Sequence, residues 1–176
     1  MSSNYTLGGG SLNFEDIFEK YFDKVYKFIN IKTLNHMDAE DIALLVFEKV
    51  HANLDSYSSS KANFETWLFT IVRNEVASFY RKKQVQTVSM DAAGPLTDGG
   101  QSPERIAELA DINSDLRLAL AKLNDKERTI IAYKYGAGMK NTDIGDLFNI
   151  SAANVGVVLF RALKKLKKEL TYQKNS

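Results

Sequence analysis

From Phe14 onward the apolar residues fall at Phe14, Ile17, Phe18, Tyr21, Phe22, Val25, Phe28 and Ile29, steps of three and four that a helix gathers into one stripe. The spacing predicts a first helix. A second is expected from Asp38 to about Leu54: Asp38 can cap free amides, and Glu40 and Asp41 favour the positive end of the helix dipole. Its stripe centres on Ile42, Ala43, Val46, Phe47 and Val50, which turns Leu44 and Leu45 outward. Ser58, Ser59 and Ser60 break the pattern, so residues 55–63 read as a loop. Phe64, Trp67, Leu68, Ile71, Val72, Val76 and Phe79 then mark a third helix that closes in the basic cluster Arg81, Lys82 and Lys83. Phe64 and Trp67 lie on its apolar stripe and belong in a core.

Periodicity disappears between Gln84 and Gln101, where Gly, Pro, Ser, Thr and Asp prevail, and a domain boundary is expected there. Helical pattern resumes at Ser102, with serine as cap and Pro103 at the first helical position. Leu116, Leu118, Ala119, Leu120 and Leu123 continue it. Asn124 and Asp125 open another helix with Ile130, Ile131 and Tyr133, stopped by Gly136 and Gly138. Two more follow, about 141–148 and 151–170, separated only by Asn149 and Ile150. Residues 1–13, with Gly8, Gly9 and Gly10 in a row, read as a flexible leader. No segment alternates as a strand. The expected fold is all-α: helical domains over 14–86 and 114–176, joined by a flexible acidic linker over 87–113, the second domain containing a helix-turn-helix.

The 176 residues are 44% hydrophobic, enough for real cores. There is no cysteine, which excludes disulfide scaffolds, thiolate metal sites and thiol catalysis. His36 and His51 are too few for most histidine metal sites, and Asp38, Glu40 and Asp41 point in different directions on one helix. No metal, cofactor or enzymatic activity is expected. No apolar run approaches the roughly 20 residues of a membrane span, and the leader lacks the plan of a signal peptide, so a cytoplasmic protein without membrane insertion is expected.

Net charge is only +1, but its distribution is uneven: −1 over residues 11–86, −4 over 87–113 and +6 over 114–176. A basic C-terminal domain suits a polyanion, although lysine-rich final helices also serve as plain solvated faces. Helices 141–148 and 151–170 have the plan of a helix-turn-helix, with Ser151 as cap and Val155, Leu159, Ala162, Leu163, Leu166 and Leu170 as buried stripe. At about 100° per residue, Val157, Arg161, Lys164 and Lys168 fall opposite, where a major groove would lie. Arg161, Lys164, Lys165, Lys167 and Lys168 can serve phosphates. Only Ser151 and Asn154 offer polar readers at the helix start, and the same helix pair also occurs in domains that touch no DNA.

Two segments carry a resemblance. "DAEDIALLVFEKV" (38–50) with "NFETWLFTIVRNEVASFYRKK" (63–83) resembles region two of bacterial RNA polymerase sigma factors, and residues 116–170 resemble region four. Order, spacing and the acidic linker are similar to the small extracytoplasmic-function branch. Trp67, Leu68, Arg73 and Asn74, with Arg161 and Ala162, are the more specific positions. The resemblance implies a dissociable initiation factor that brings polymerase core to promoters and reads minus-ten and minus-thirty-five elements. It implies single-strand contacts from the loop, through Tyr57, Ser59, Lys61 and Asn63, and from Arg73, Asn74, Tyr80, Arg81 and Lys82. Exposed polar loops and stacked aromatics among cations suit a splayed strand. It further implies duplex contacts from Ser151, Asn154, Val157, Val158, Arg161, Lys164, Lys165 and Lys168, and polymerase contacts from Asp41, Leu44, Leu45, Glu48 and Lys49. Asp91, Asp98 and Glu104 would mimic nucleic acid in the linker, and an anti-sigma protein is an implied partner.

The chain departs from the family at three of these positions. Leu44 and Leu45 stand where a glutamine and an acidic residue are usual, which trades two hydrogen-bonding groups of about 0.5–1.5 kcal/mol each for apolar anchors of comparable value. Val158 stands where a basic residue is usual, a contact of about 1–3 kcal/mol. These departures leave open a sigma-like decoy that binds a regulator without productive promoter recognition. A plain helix-turn-helix regulator would leave the N-terminal domain unexplained.

Overall fold

In a computed structural model of the chain, residues 5–7, 10–88 and 114–175 are described. Helix α1 spans Phe14–Thr33 and starts on a capping box: the Asn13 side chain accepts from the Asp16 N–H at 2.8 Å, and the Asp16 carboxylate accepts from the Asn13 N–H at 3.3 Å. It stops at Leu34, whose φ of 56° is left-handed. Helix α2 spans His36–Asn53, two residues earlier than expected, because Asn35 is its cap and accepts from the N–H groups of Met37 and Asp38. Asp38 is used otherwise: its carboxylate accepts from Lys83 Nζ at 2.9 Å. After a short 3₁₀ turn at Leu54–Ser56, helix α3 runs Phe64–Val88. It passes beyond the basic cluster because Gln84, Val85 and Gln86 contain no breaker.

These three helices bury the predicted stripes against one another, with Ile17, Val25, Ile42, Val46, Leu68 and Val72 fully enclosed. Phe18 sits 4.8 Å from Phe47 and 4.9 Å from Phe22, ring centre to ring centre. Phe64 is buried and Trp67 packs half-buried beside it at 5.4 Å, as their place on the stripe requires.

The C-terminal half contains α4 (Ser114–Ala121), α5 (Asp125–Ile131), a π-helical turn at Ala132–Gly136, α6 (Asn141–Phe148) and α7 (Ala152–Lys174). Asn124 and Glu127 form a second capping box on α5. Helices α6 and α7 meet at a bend of 100°, through Asn149 at φ 53°. Gly145 permits that turn, since a Cβ there would lie 2.5 Å from the Ile150 carbonyl oxygen. On α7 the buried stripe is Val155, Leu159, Ala162 and Leu166, narrower than expected: Leu163 is 42% exposed and Leu170 only partly covered.

The two halves are docked together, where the sequence suggested bundles held only by a tether. Tyr133 of the π turn packs 4.6 Å from Phe28 of α1 and 6.0 Å from Phe69 of α3. Lys32 Nζ donates to Asp125 at 2.6 Å and to the Thr129 hydroxyl at 2.8 Å. Gly136 lies so near α1 that a Cβ would meet the Phe28 backbone nitrogen at 2.7 Å. One continuous core results. Tyr5–Leu7 pairs antiparallel with Gly10–Leu12, Tyr5 opposite Leu12, a short strand pair where the sequence pattern showed no strand alternation. Asp91, Asp98, Glu104 and the expected helix start at Ser102 lie outside the described residues.

Candidate nucleic-acid and polymerase interface

Ser151 is the cap of α7, its hydroxyl accepting from the Asn154 N–H at 3.1 Å, so its oxygen is already engaged in the helix start. Because Val155, Leu159, Ala162 and Leu166 fix the inner face, the outer face carries Val157, Phe160, Arg161, Lys164 and Lys168, all exposed. Val158 does not belong there. It is half-buried and packs on the core, beside the buried stripe and not on the outer face. Phe160, missed in the sequence reading, is 69% exposed. Its signal was present: it falls within about 50° of the direction opposite the buried stripe.

Lys165 is likewise committed elsewhere. Its Nζ donates to Glu127 at 2.6 Å, so it holds α7 to α5 rather than standing free for a phosphate. Burial alone would raise the Glu127 pKa, but the Lys165 hydrogen bond, the Asn124 N–H and the lysine charge together hold the carboxyl below its ordinary value.

In the front half, Tyr57 donates its hydroxyl to the Ala62 carbonyl at 3.1 Å and packs 5.3 Å from both Phe64 and Trp67. It clasps the loop and is not a free reader. Ser59, Lys61 and Asn63 are exposed; the Asn63 side-chain oxygen Oδ1 accepts from the Thr66 N–H at 2.8 Å, which leaves the side-chain N–H₂ facing outward for a ligand. On α3, Arg73 and Tyr80 share a face, Asn74 and Arg81 lie about a quarter-turn away and Lys82 about a half-turn away, so the five do not form one patch. Arg73 and Tyr80, with Lys32 of the same half, line a cleft of about 620 Å³ between the two halves, whose other side is Arg128, Leu147 and Phe148. The Tyr80 hydroxyl pKa is raised, first by burial and then by the Asp38 charge, with Lys83 and Arg128 opposing.

On α2, Asp41, Leu44, Leu45 and Glu48 share one face, a strip of alternating acidic and apolar groups. Leu45 is 39% exposed as expected; Leu44 is half-buried against a shallow groove with Phe14, Phe47 and His51. Burial, followed by the Asp38 charge, raises the Asp41 pKa. Lys49 sits at the edge of the strip, paired with the buried Glu75 at 2.5 Å. Among the described residues no group of three or more acidic or histidine side chains could hold a metal ion, and no single helix is long and apolar enough to cross a membrane.

Residues 17–85 match Sigma-70 region 2, and residues 113–166 match Sigma-70, region 4. The chain is 30% identical over 167 residues to the ECF RNA polymerase sigma factor SigW of Bacillus subtilis, covering 89% of this chain and 88% of that one. The chain belongs to the ECF RNA polymerase sigma factors. SigM of the same organism is also 30% identical, over 158 residues, with 89% and 94% covered. In fold, this sigma factor is similar to RpoE solved with the anti-sigma factor NepR from Bartonella quintana (TM-score 0.67, 24% identity, 90% and 96% covered) and to CnrH solved with the cytosolic domain of CnrY (TM-score 0.61, 19% identity, 90% and 88% covered). It is a transcription initiation factor that directs RNA polymerase to promoters, with polymerase core and promoter DNA as partners. The family is one of non-enzymatic transcription factors.

Proposed function

We propose that this sigma factor divides the work by element, with residues 14–86 and 114–176 as its two modules. The Asp41, Leu45 and Glu48 strip of α2, bordered by Leu44, grips polymerase core. The 57–63 loop, through Ser59, Lys61 and Asn63, and the α3 residues Arg73 and Tyr80, with Asn74 and Arg81 a quarter-turn away, take the minus-ten single strand. The outer face of α7 takes the minus-thirty-five duplex through Asn154, Val157, Arg161, Lys164 and Lys168. It acts by binding and not by catalysis, in the cytoplasm, and an anti-sigma protein is its regulator. The observation that supports this division is the opposition on α7 of a buried stripe and an exposed cationic face, on a helix whose first part, to Leu166, lies in the Sigma-70, region 4 match. No observation favours the decoy reading over it.

The polymerase strip is tested by titrating purified core with the full chain and with Leu45→Ala. Loss of a partly buried leucine contact should weaken core binding about fivefold to tenfold, with the melting temperature unchanged. Equal affinity of the two proteins would remove α2 from the polymerase interface.

A further inference from the structure

The outer face of α7 is unusual for a surface that meets a polyanion, because its base-ward turns present carbon. Val157 is 46% exposed and Phe160 69% exposed, while Ala153 is exposed between the polar Asn154 and the cap. Gly156 offers no side chain. Cations begin only at Arg161 and continue through Lys164 and Lys168, all exposed and on the same side. An exposed valine and phenylalanine, followed along the helix by three exposed cations, fit a surface that is apolar in one place and anionic beside it. The major groove over an A·T pair is such a surface: phosphates border it, and the thymine C5 methyl projects into it.

Resting on the reading of α7 as the duplex-binding helix, we propose that Val157 and Phe160 read thymine methyl groups, making them specificity-determining residues for the minus-thirty-five element. Residues three apart on a helix place their Cβ atoms about 5–6 Å apart, and successive base pairs rise by about 3.4 Å. The two side chains therefore meet methyls on neighbouring or next-but-one base pairs, while Arg161, Lys164 and Lys168 hold the flanking phosphates. Promoters used by this protein carry thymine at those two positions. Hydrogen bonding to guanine is not how these positions are read.

The test uses holoenzyme, core reconstituted with the full chain, to select duplexes from a pool randomised across the upstream element. In the selected sequence each thymine is replaced in turn by uracil, which removes only the methyl and leaves every hydrogen-bonding group in place. Two uracil substitutions should each weaken binding roughly fourfold, the value of one buried methyl. Phe160→Ala should weaken binding to the thymine promoter by at least that factor and become indifferent to uracil at one position, and Val157→Ala should do so at the other. Both side chains are exposed, so helical circular dichroism should be unchanged in the variants. Tight, selective binding that ignores uracil everywhere overturns the proposal while leaving the initiation function intact. Uracil indifference together with weaker affinity of Phe160→Ala for promoter-free core also overturns it, by making Phe160 a protein contact. Failure of holoenzyme to select any sequence would instead strike at the duplex-reading role of α7 itself.

Discussion

Lys164 and Lys165 are neighbours in sequence and differ in what surrounds them. Lys165 is paired with Glu127 at 2.6 Å, whereas Lys164 stands on the outer face of α7. Lys164→Ala should reduce the slope of log affinity against log salt by about one unit, the signature of one lost phosphate contact. Lys165→Ala should leave that slope unchanged and cost stability of about 1 kcal/mol, discounted because the lysine is itself half-exposed. The Glu127 carboxyl is held below its ordinary 4.5, so its contribution is fully present above pH 4.5 and is lost as pH falls through the lower folded value. The gap in melting temperature between wild type and Lys165→Ala should accordingly be full at pH 7 and shrink in acid. Salt titrations and thermal melts check these outcomes. The stripe of α7 was legible from spacing alone. The Glu127 pair was not, because it joins residues 38 apart and no local pattern announces it.

At the scale of elements, the helices followed from apolar spacing, while their ends and rotations needed the structure. Asn35 outcompeted Asp38 as a cap because Leu34 ends α1 in a left-handed conformation and leaves Asn35 extended, with its side chain over the next free amides. Val158 is implied by the resemblance and not by the helical wheel, which sets it about 200° from Phe160, on the side of the buried stripe, and turns Phe160 outward. Asn63 and Tyr57 looked like free loop groups because composition cannot show that one caps α3 and the other clasps the Ala62 carbonyl. The helix-turn-helix depends most on Gly145. Gly145→Ala places a methyl 2.5 Å from a backbone oxygen and should destabilise the full chain by about 1–3 kcal/mol, with a parallel loss of duplex binding. Calorimetry and holoenzyme binding to a selected duplex measure the two effects. An unchanged melting temperature would mean that the turn can relax.

At the scale of the whole molecule, composition announced two modules and a tether but could not announce that they pack. The contact joins α1 to residues about a hundred positions later, through Phe28 with Tyr133, Lys32 with Asp125, and the bare Cα of Gly136. Gly136→Ala should separate the halves and increase the radius of gyration in small-angle scattering, with little change in helix content. It should also uncover Arg73 and Tyr80, which face Arg128 across the cleft, so promoter binding should not fall. An unaltered scattering profile would show that the α1 backbone yields instead.

The central claim is that this chain carries polymerase to promoters through a front module and a basic rear module acting together. Mapping transcript 5′ ends from genomic DNA, with purified core alone and with core plus the chain, tests it most directly. The account predicts discrete new start sites that share two upstream sequence elements at a fixed separation. Identical maps with and without the chain, under conditions where it is bound to core, would contradict it.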